Sequence, residues 1–155
     1  MKEKISCLLI DPDRDRRNQF FMALDLLGNS KACICQDSVE SALNYLKEQV
    51  GFSPDFIFMD AEANQSTLLP VFPAALKNQL PKTTIVWYSG SYHASAEIAL
   101  KKAGWATGLT KLSNLLQLKA ALKSLLEQDF TVAKPDTKPV LRLVKYEPAY
   151  QAVNP

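Results

Sequence analysis

Residues 54–60 of the chain read PDFIFMD, a short apolar run that stops at the carboxylate of Asp60. Three further apolar runs stop at a single polar residue in the same way. They are residues 5–10 before Asp11, 84–88 before Ser89 and 106–110 before Lys111. Continuous apolar runs of this length are typical of strands buried on both faces of a parallel sheet. Because the carboxyl ends of parallel strands meet at one edge, we expect these four polar side chains to share a crevice there.

Helical patterns separate the apolar runs. Residues 14–27 repeat apolar side chains at helical spacing. A second strand over 31–36 precedes a helix that we expect Asp37 to open, with Glu40 completing a capping box, and Gly51 to end. The other predicted helices lie near 68–80, over 95–103 before Gly104, and over 114–126 after Ser113 as N-cap. Five β–α units in alternation predict an α/β fold, a doubly wound five-stranded parallel sheet with helices on both faces.

Length and charge narrow the class of protein. The chain has 155 residues, 47% of them hydrophobic, and a formal net charge of +2. This length suits one domain with a real core, which we expect to span residues 1–127. The small net charge gives no footprint for nucleic acid or for an anionic membrane. Residues 128–155 hold four prolines and form a C-terminal extension, which either packs on its own domain or adds a strand to a partner chain.

Cysteine usage points to a reducing compartment. Cys7, Cys33 and Cys35 lie in apolar runs rather than in turns, and their odd number is typical of buried, unpaired thiols. A metal site at Cys33 and Cys35 would need further ligands, and His93 is the only histidine of the chain. The first apolar run is too short for a secretory signal, and no stretch has the roughly 20 apolar residues of a membrane span. We therefore expect a cytoplasmic protein.

Four aromatic residues lie near the predicted edge of the sheet, Trp87, Tyr88, Tyr92 and Trp105. Side chains of this size usually pack in the core or at its rim. The alternative is an exposed aromatic patch at which a partner docks.

Four segments carry a resemblance to a known family. They are Leu-Leu-Ile-Asp at 8–11, Pro-Asp-Phe-Ile-Phe-Met-Asp at 54–60, Ile-Val-Trp-Tyr-Ser-Gly-Ser at 85–91, and Ala103-Gly104 followed by Leu109-Thr110-Lys111. In order and spacing, residues 3–127 resemble the receiver domain of two-component response regulators. They are similar to the short stand-alone receivers that are paired with sensor histidine kinases of the phytochrome-partner type. The resemblance implies the flavodoxin-like (βα)5 receiver fold.

The resemblance also assigns roles at the strand ends. Asp60 matches the phosphoacceptor whose carboxylate attacks a phosphohistidine, Lys111 matches the partner of a phosphoryl oxygen, and Ser89 matches the switch hydroxyl. The implied phosphodonor is a sensor histidine kinase or a phosphotransfer protein. The implied output is docking to a partner, or to a second copy as a homodimer, through the fourth predicted helix, the fifth strand and the fifth helix. Such a chain is a signalling protein, not an enzyme beyond its own phosphotransfer and dephosphorylation.

Magnesium is the cofactor that the resemblance implies. Asp11 and Asp60 match two carboxylate ligands, and the backbone carbonyl of Glu62 matches a third oxygen ligand. The usual second acid of the adjacent pair is Pro12 here, and Asp13, one residue later, is the candidate to replace it. Loss of a ligand oxygen weakens Mg²⁺ binding.

Three further positions differ from the family pattern. Asn64 stands where proline is usual, Gly108 where the aromatic switch residue is usual, and Leu112 where a proline usually follows the lysine. Together with Pro12, these differences leave open a degenerate receiver that binds partners without phosphorylation. In that case Lys111 only neutralises the neighbouring carboxylate.

Two other classes of function remain as alternatives. One is a haloacid-dehalogenase-like phosphohydrolase, with Asp11 as nucleophile and Asp13 as general acid. That chemistry needs a further acidic strand end after Lys111 to hold the metal, and a cap that excludes water, and the sequence shows neither. The other is a purely structural α/β module.

Overall fold

A computed structural model of the protein describes residues 4–60, 76, 79–90, 94–128 and 130. The strands in these ranges are β1 (Ile5–Ile10), β2 (Ser30–Gln36), β3 (Phe56–Asp60), β4 (Thr84–Ser89) and β5 (Thr107–Thr110). The helices are α1 (Arg14–Leu27), α2 (Val39–Glu48), α3 (Ala94–Lys102) and α4 (Leu115–Leu126). All four strand pairings are parallel, in the order β2-β1-β3-β4-β5. The predicted five-stranded parallel sheet is therefore confirmed.

The central strand β3 shows why these apolar runs become strands. Phe56 and Phe58 pack in the cluster that α1 and α4 complete, whereas Ile57 and Met59 pack in the cluster on the opposite face, with α2. All five residues of β3 are buried. A strand that is covered on both faces has no solvent side for polar residues, so its sequence is a continuous apolar run.

The strand order places two carboxylates at the point where the order of the strands reverses. From β1 the chain adds β2 on one side of the sheet, and β3 then pairs with β1 on the other side. Ile10 and Met59 are paired in register, so Asp11 and Asp60 follow on neighbouring strands. Such a reversal of strand order is where open α/β sheets bind ligands.

The ends of α1 come directly from its flanking residues. Asp13, in an extended conformation, is the N-cap, and its carboxylate accepts from the N–H groups of Asp15 and Arg16. Gly28 ends the helix with φ 79°, a left-handed conformation that costs glycine little, and its N–H donates to the carbonyl of Asp25.

Two predicted helix starts are wrong by one residue. Ser38, not Asp37, caps α2, because its hydroxyl accepts from Ser41 N–H at 3.0 Å. Asn114, not Ser113, caps α4, because its carbonyl oxygen Oδ1 accepts from Gln117 N–H at 2.9 Å. In both cases two cap-forming residues are adjacent, and only the backbone path decides which one reaches the third N–H of the helix.

The C-terminal end of α2 also differs from the prediction. The last residue of α2 is Glu48, and its C-cap is Gln49, whose N–H donates to the Tyr45 carbonyl, so the predicted end at Gly51 is wrong. The helix predicted near 68–80 lies largely outside the described residues, as does the extension after residue 128 except Phe130. The Phe130 ring lies 6.3 Å from the ring of Phe56 and packs on the core.

Among the helices that the structure describes, none has the length and apolar character needed to cross a bilayer.

Candidate functional site

Three of the four predicted strand-end residues form one buried group. The Lys111 ammonium lies 3.2 Å from Asp11 Oδ2 and 3.1 Å from Asp60 Oδ1. The side chains of Lys111, Asp11 and Asp60 are only 6%, 0% and 6% exposed, so solvent and salt screen these ion pairs little. One ammonium bridges two carboxylates that belong to neighbouring strands. The group carries one more negative charge than positive, which favours a bound cation.

Asp11 is held in place from three directions. Its backbone N–H donates to the Gln36 carbonyl at 3.0 Å, and its own carbonyl accepts from Arg17 Nη1 at 2.8 Å. Its carboxylate oxygen Oδ1 accepts from Asp13 N–H at 2.8 Å, a local turn that shapes the loop after β1. The other oxygen, Oδ2, is buried and has the ion pair with Lys111 but no hydrogen bond.

Lys111 crosses the sheet edge over an aromatic ring. Its backbone N–H donates to the Ser89 carbonyl at 2.8 Å, which continues the β4–β5 pairing by one residue. Its ammonium lies 5.2 Å from the centroid of the Tyr88 ring, within the range of a cation–π contact. Tyr88 is fully buried against Phe20, with ring centroids 5.6 Å apart. Burial, and after it the charge of Asp11, raises the pKa of Tyr88, which keeps the phenol neutral beneath the lysine.

Ser89 is brought to the same edge. It ends β4, which lies between β3 and β5, and it follows Tyr88, the register partner of Asp60. Ser89 is half-buried. Ser89 therefore ends the strand that lies between β3, which carries Asp60, and β5, which precedes Lys111.

The residues of the site fit a divalent cation held by few protein ligands. Asp11 Oδ2 is a buried carboxylate oxygen without a hydrogen bond, and Mg²⁺ is often bound through one or two carboxylates and several waters. Asp13 is exposed, and its Oδ1 caps α1. Glu62 lies outside the described residues. Within the described ranges, no three acidic, histidine or cysteine side chains gather as a metal cluster, so Asp11 and Asp60 are the carboxylates available to such a cation.

One pairing in the site region is not evident from the sequence. Trp87 on β4 is the register partner of Gly108 on β5, and its indole lies directly over the glycine. A Cβ atom at Gly108 would lie 2.2 Å from Trp87 Cε2 and Nε1, so any side chain there would collide with the indole. The Trp87 ring therefore occupies the space that a side chain on β5 would take. This contact between Trp87 and Gly108 follows from the register of β4 against β5.

The aromatic residues near the edge are core residues where the structure describes them. Trp87, Tyr88 and Trp105 are 4%, 0% and 2% exposed, which excludes them from a surface patch. Tyr92 lies outside the described residues.

Comparisons with known proteins identify the fold. No protein-family model and no curated protein matches the chain. Solved structures do match. A response regulator from Thermotoga maritima superposes with a TM-score of 0.64 at 18% identity, over 81% of this chain and 99% of that chain. Chemotaxis protein CheY4 from Vibrio cholerae gives 0.63 at 19% identity, over 79% and 97%.

A third match carries a metal ion. The Mn²⁺-bound form of response regulator Rcp1 superposes with a TM-score of 0.61 at 19% identity, over 88% of this chain and 99% of that chain. Two of these three proteins are response regulators, and the third is a chemotaxis protein. The chain has the flavodoxin-like fold of response regulator receiver domains.

Proposed function

We propose that this protein is a response regulator receiver that accepts a phosphoryl group on Asp60 and signals by docking to other proteins. The observation that carries the proposal is the Lys111 ammonium between the carboxylates of Asp11 and Asp60, buried at the reversal of strand order. The similarity to solved receivers supports the same class of function. The proposed phosphodonor is a sensor histidine kinase or a phosphotransfer protein.

The chemistry follows from the charges of the site. A carboxylate oxygen of Asp60 attacks the phosphorus of a phosphohistidine, the P–N bond breaks, and the imidazole leaves as an acyl phosphate forms. Lys111 lies next to the reacting carboxylate and neutralises charge on the transferred group. A bound Mg²⁺ ion would supply the remaining neutralisation, with Asp11 Oδ2 and Asp60 as carboxylate ligands and Glu62 as the predicted carbonyl ligand.

The role proposed for Ser89 is to sense the product. A phosphoryl group on Asp60 adds acceptor oxygens at the edge where Ser89 ends β4. A hydroxyl that turns to donate to one of these oxygens would change the end of β4 and the loop after it. We propose that partners, or a second copy of the chain, read this change on the face formed by α3, β5 and α4. Exposed Ile98 on α3 and Leu116 on α4, 60% and 69% exposed, support docking there.

One alternative has an observation in its favour. Lys111 already forms ion pairs with both carboxylates, and Trp87 fills the space over Gly108, the position where the aromatic switch residue is usual in the family. Both features suit a degenerate receiver that docks without phosphorylation. The phosphohydrolase alternative has less support, because the Asp13 oxygen Oδ1 caps α1 and the residue is exposed.

A small phosphodonor separates the two receiver proposals. Wild-type protein is incubated with acetyl phosphate and Mg²⁺, and its intact mass is measured with and without chelator. We expect one Mg²⁺-dependent phosphoryl adduct that hydroxylamine removes, as it does from acyl phosphates. Asp60→Asn should abolish it, and Asp55→Asn, at the opposite end of the same strand, should leave it unchanged. An unmodified wild-type protein would favour the degenerate receiver, and turnover of a phosphomonoester that persists in Asp60→Asn would favour the phosphohydrolase.

A further inference from the structure

The outer strand β2 leaves one edge of the sheet open. Within the sheet that the structure describes, β2 pairs with β1 alone. The Gln36 carbonyl accepts from Asp11 N–H at 3.0 Å, so it points towards β1. Because backbone groups alternate in direction along a strand, those of Ile34 also point towards β1, and the N–H and C=O groups of Cys33 and Cys35 point outward. These outward groups can pair with a further strand.

The residues of β2 do little to block such pairing. Outer strands are usually protected by charged side chains, by proline or by short length. The seven residues of β2 include no proline, and residues 32–36 (ACICQ) carry no charge. The outer strand at the other edge, β5, has only four residues. Of these two strands, β2 is therefore the one suited to strand addition.

Two opposite charges flank this uncharged run. Lys31 precedes it and Asp37 follows it, and both residues are exposed. If two copies of β2 pair antiparallel about Ile34, Lys31 of each copy lies opposite Asp37 of the other. Cys33 then lies opposite Cys35 of the other copy, and these are the residues whose backbone groups point outward. Hydrogen-bond direction also allows registers shifted by two residues, but the charges favour this one.

Half-buried side chains on both faces of β2 suit the same pairing. Cys33 and Cys35 are partly buried against the cluster that contains α1 residues, and Ile34 is partly buried against the cluster on the opposite face. In the antiparallel pair, the two copies of Ile34 face each other in a pairing without hydrogen bonds, where side chains approach most closely. The pairing therefore covers apolar surface that a single copy leaves partly exposed.

Phe21 extends this apolar surface. Gln19 on α1 donates to the Ser113 carbonyl, and Met22 lines a groove with Leu115, so this side of α1 faces α4. Phe21 follows Gln19 by two residues, about 200° around the helix, and so lies on the side towards β2. Its side chain is 48% exposed. An exposed aromatic ring beside an open strand is surface that a second copy can bury.

We propose that two copies of this chain associate through their β2 strands, antiparallel about Ile34, to form one continuous sheet with five strands from each copy. The interface is isologous, and its twofold axis makes the contact between Lys31 and Asp37 twice. An edge pairing of this kind is a small interface, so we expect a dissociation constant in the micromolar range. It lies at the opposite edge of the sheet from β5 and does not use the face formed by α3, β5 and α4.

Exchange of the two charges tests the register. Sedimentation velocity over a range of concentrations measures the dimer dissociation constant of the full chain. Lys31→Glu and Asp37→Lys each replace two attractive contacts by two repulsive ones, and each should weaken the dimer at least about tenfold. An equimolar mixture of the two variants should recover dimers, because the heterodimer again has opposite charges at both contacts. Lys82→Glu, the matched control in the exposed turn before β4, should dimerise like wild type.

Further measurements test the strand pairing itself. Cys33→Pro removes an outward N–H, which an outer strand tolerates, and should abolish the dimer while leaving the circular dichroism spectrum unchanged. In wild-type protein, hydrogen exchange of the Cys33 and Cys35 amides should slow as the protein concentration rises. Asp60→Asn should dimerise like wild type, which separates this interface from any dimer that depends on phosphorylation.

Three results would overturn the proposal. The first is a wild-type protein that stays monomeric at about 1 mM, where even a weak dimer forms. The second is a mixture of Lys31→Glu and Asp37→Lys that associates no better than either variant alone. The third is a monomer whose Cys33 and Cys35 amides are protected at every concentration. That result would show that a segment of the same chain, such as residues 140–146 (VLRLVKY), occupies the edge instead.

Discussion

The contact between Trp87 and Gly108 gives a quantitative prediction for Gly108→Ala. The added Cβ would lie 2.2 Å from Trp87 Cε2 and Nε1 and 2.7 Å from Cζ2, against about 3.5–4.0 Å for an ordinary carbon contact. The indole would have to move by more than 1 Å, roughly the shortfall in that contact. Trp87 is 4% exposed and packs in a closed cluster with Trp105, so it has little room to do so.

The expected cost of Gly108→Ala combines two opposing effects. Overpacking of a well-filled core costs about 1–3 kcal/mol. Replacing glycine by alanine in a strand recovers about 0.5–1 kcal/mol of conformational entropy. We expect a net loss of about 1–2 kcal/mol in the free energy of unfolding, which urea denaturation followed by circular dichroism measures. Gly51→Ala is the matched control, because a Cβ at Gly51 has no atom within 4 Å, and its effect should stay within about 0.5 kcal/mol.

A double-mutant cycle tests the physical cause. Trp87→Leu removes the indole and is destabilising by itself, since it leaves a cavity. In that background Gly108→Ala should cost nothing or stabilise the protein, which gives a coupling energy of about 1–3 kcal/mol between the two positions. If Gly108→Ala is equally destabilising in both backgrounds, or harmless in wild type, the reasoning from this contact is refuted.

Three further predictions concern charge, caps and pH. Lys111→Met leaves two buried carboxylates without their counter-charge and should lower the free energy of unfolding by about 3 kcal/mol in urea denaturation. Lys111→Arg keeps the positive charge and should retain most of the wild-type stability. A Lys111→Met protein as stable as wild type would show that the bridge is not what stabilises the site. Asn114→Ala should cost about 1 kcal/mol through loss of the α4 cap, and Ser113→Ala less than about 0.5 kcal/mol; the reverse order would mean that the cap is misassigned. Burial raises the pKa of Cys7 from 9.0 to about 12, so between these two pH values the folded protein keeps a thiol proton that the unfolded chain loses. The stability that this thiol contributes is complete below pH 9 and falls by about 1.4 kcal/mol per pH unit towards pH 12, and Cys7→Ala should show a shallower alkaline slope.

Much of the site could be predicted without coordinates. Asp11, Asp60 and Lys111 each follow an apolar run, and parallel strands necessarily bring their carboxyl ends to one edge. The sequence also left a question open at Asp13, which was a candidate metal ligand in a receiver and a candidate general acid in a phosphohydrolase. The structure uses its Oδ1 as the cap of α1, because the chain turns into the helix immediately after Pro12.

The sequence alone determined the strands and the polar residues at one edge, because these follow from apolar runs a few residues long. It also determined the parallel arrangement, because strands and helices alternate along the chain. The tertiary structure alone decided that Lys111 bridges both carboxylates, that the Trp87 indole covers Gly108, and that Cys7 and Cys33 are neighbours. These contacts join residues far apart in the chain. They depend on strand order, register and side-chain packing, which no local pattern encodes.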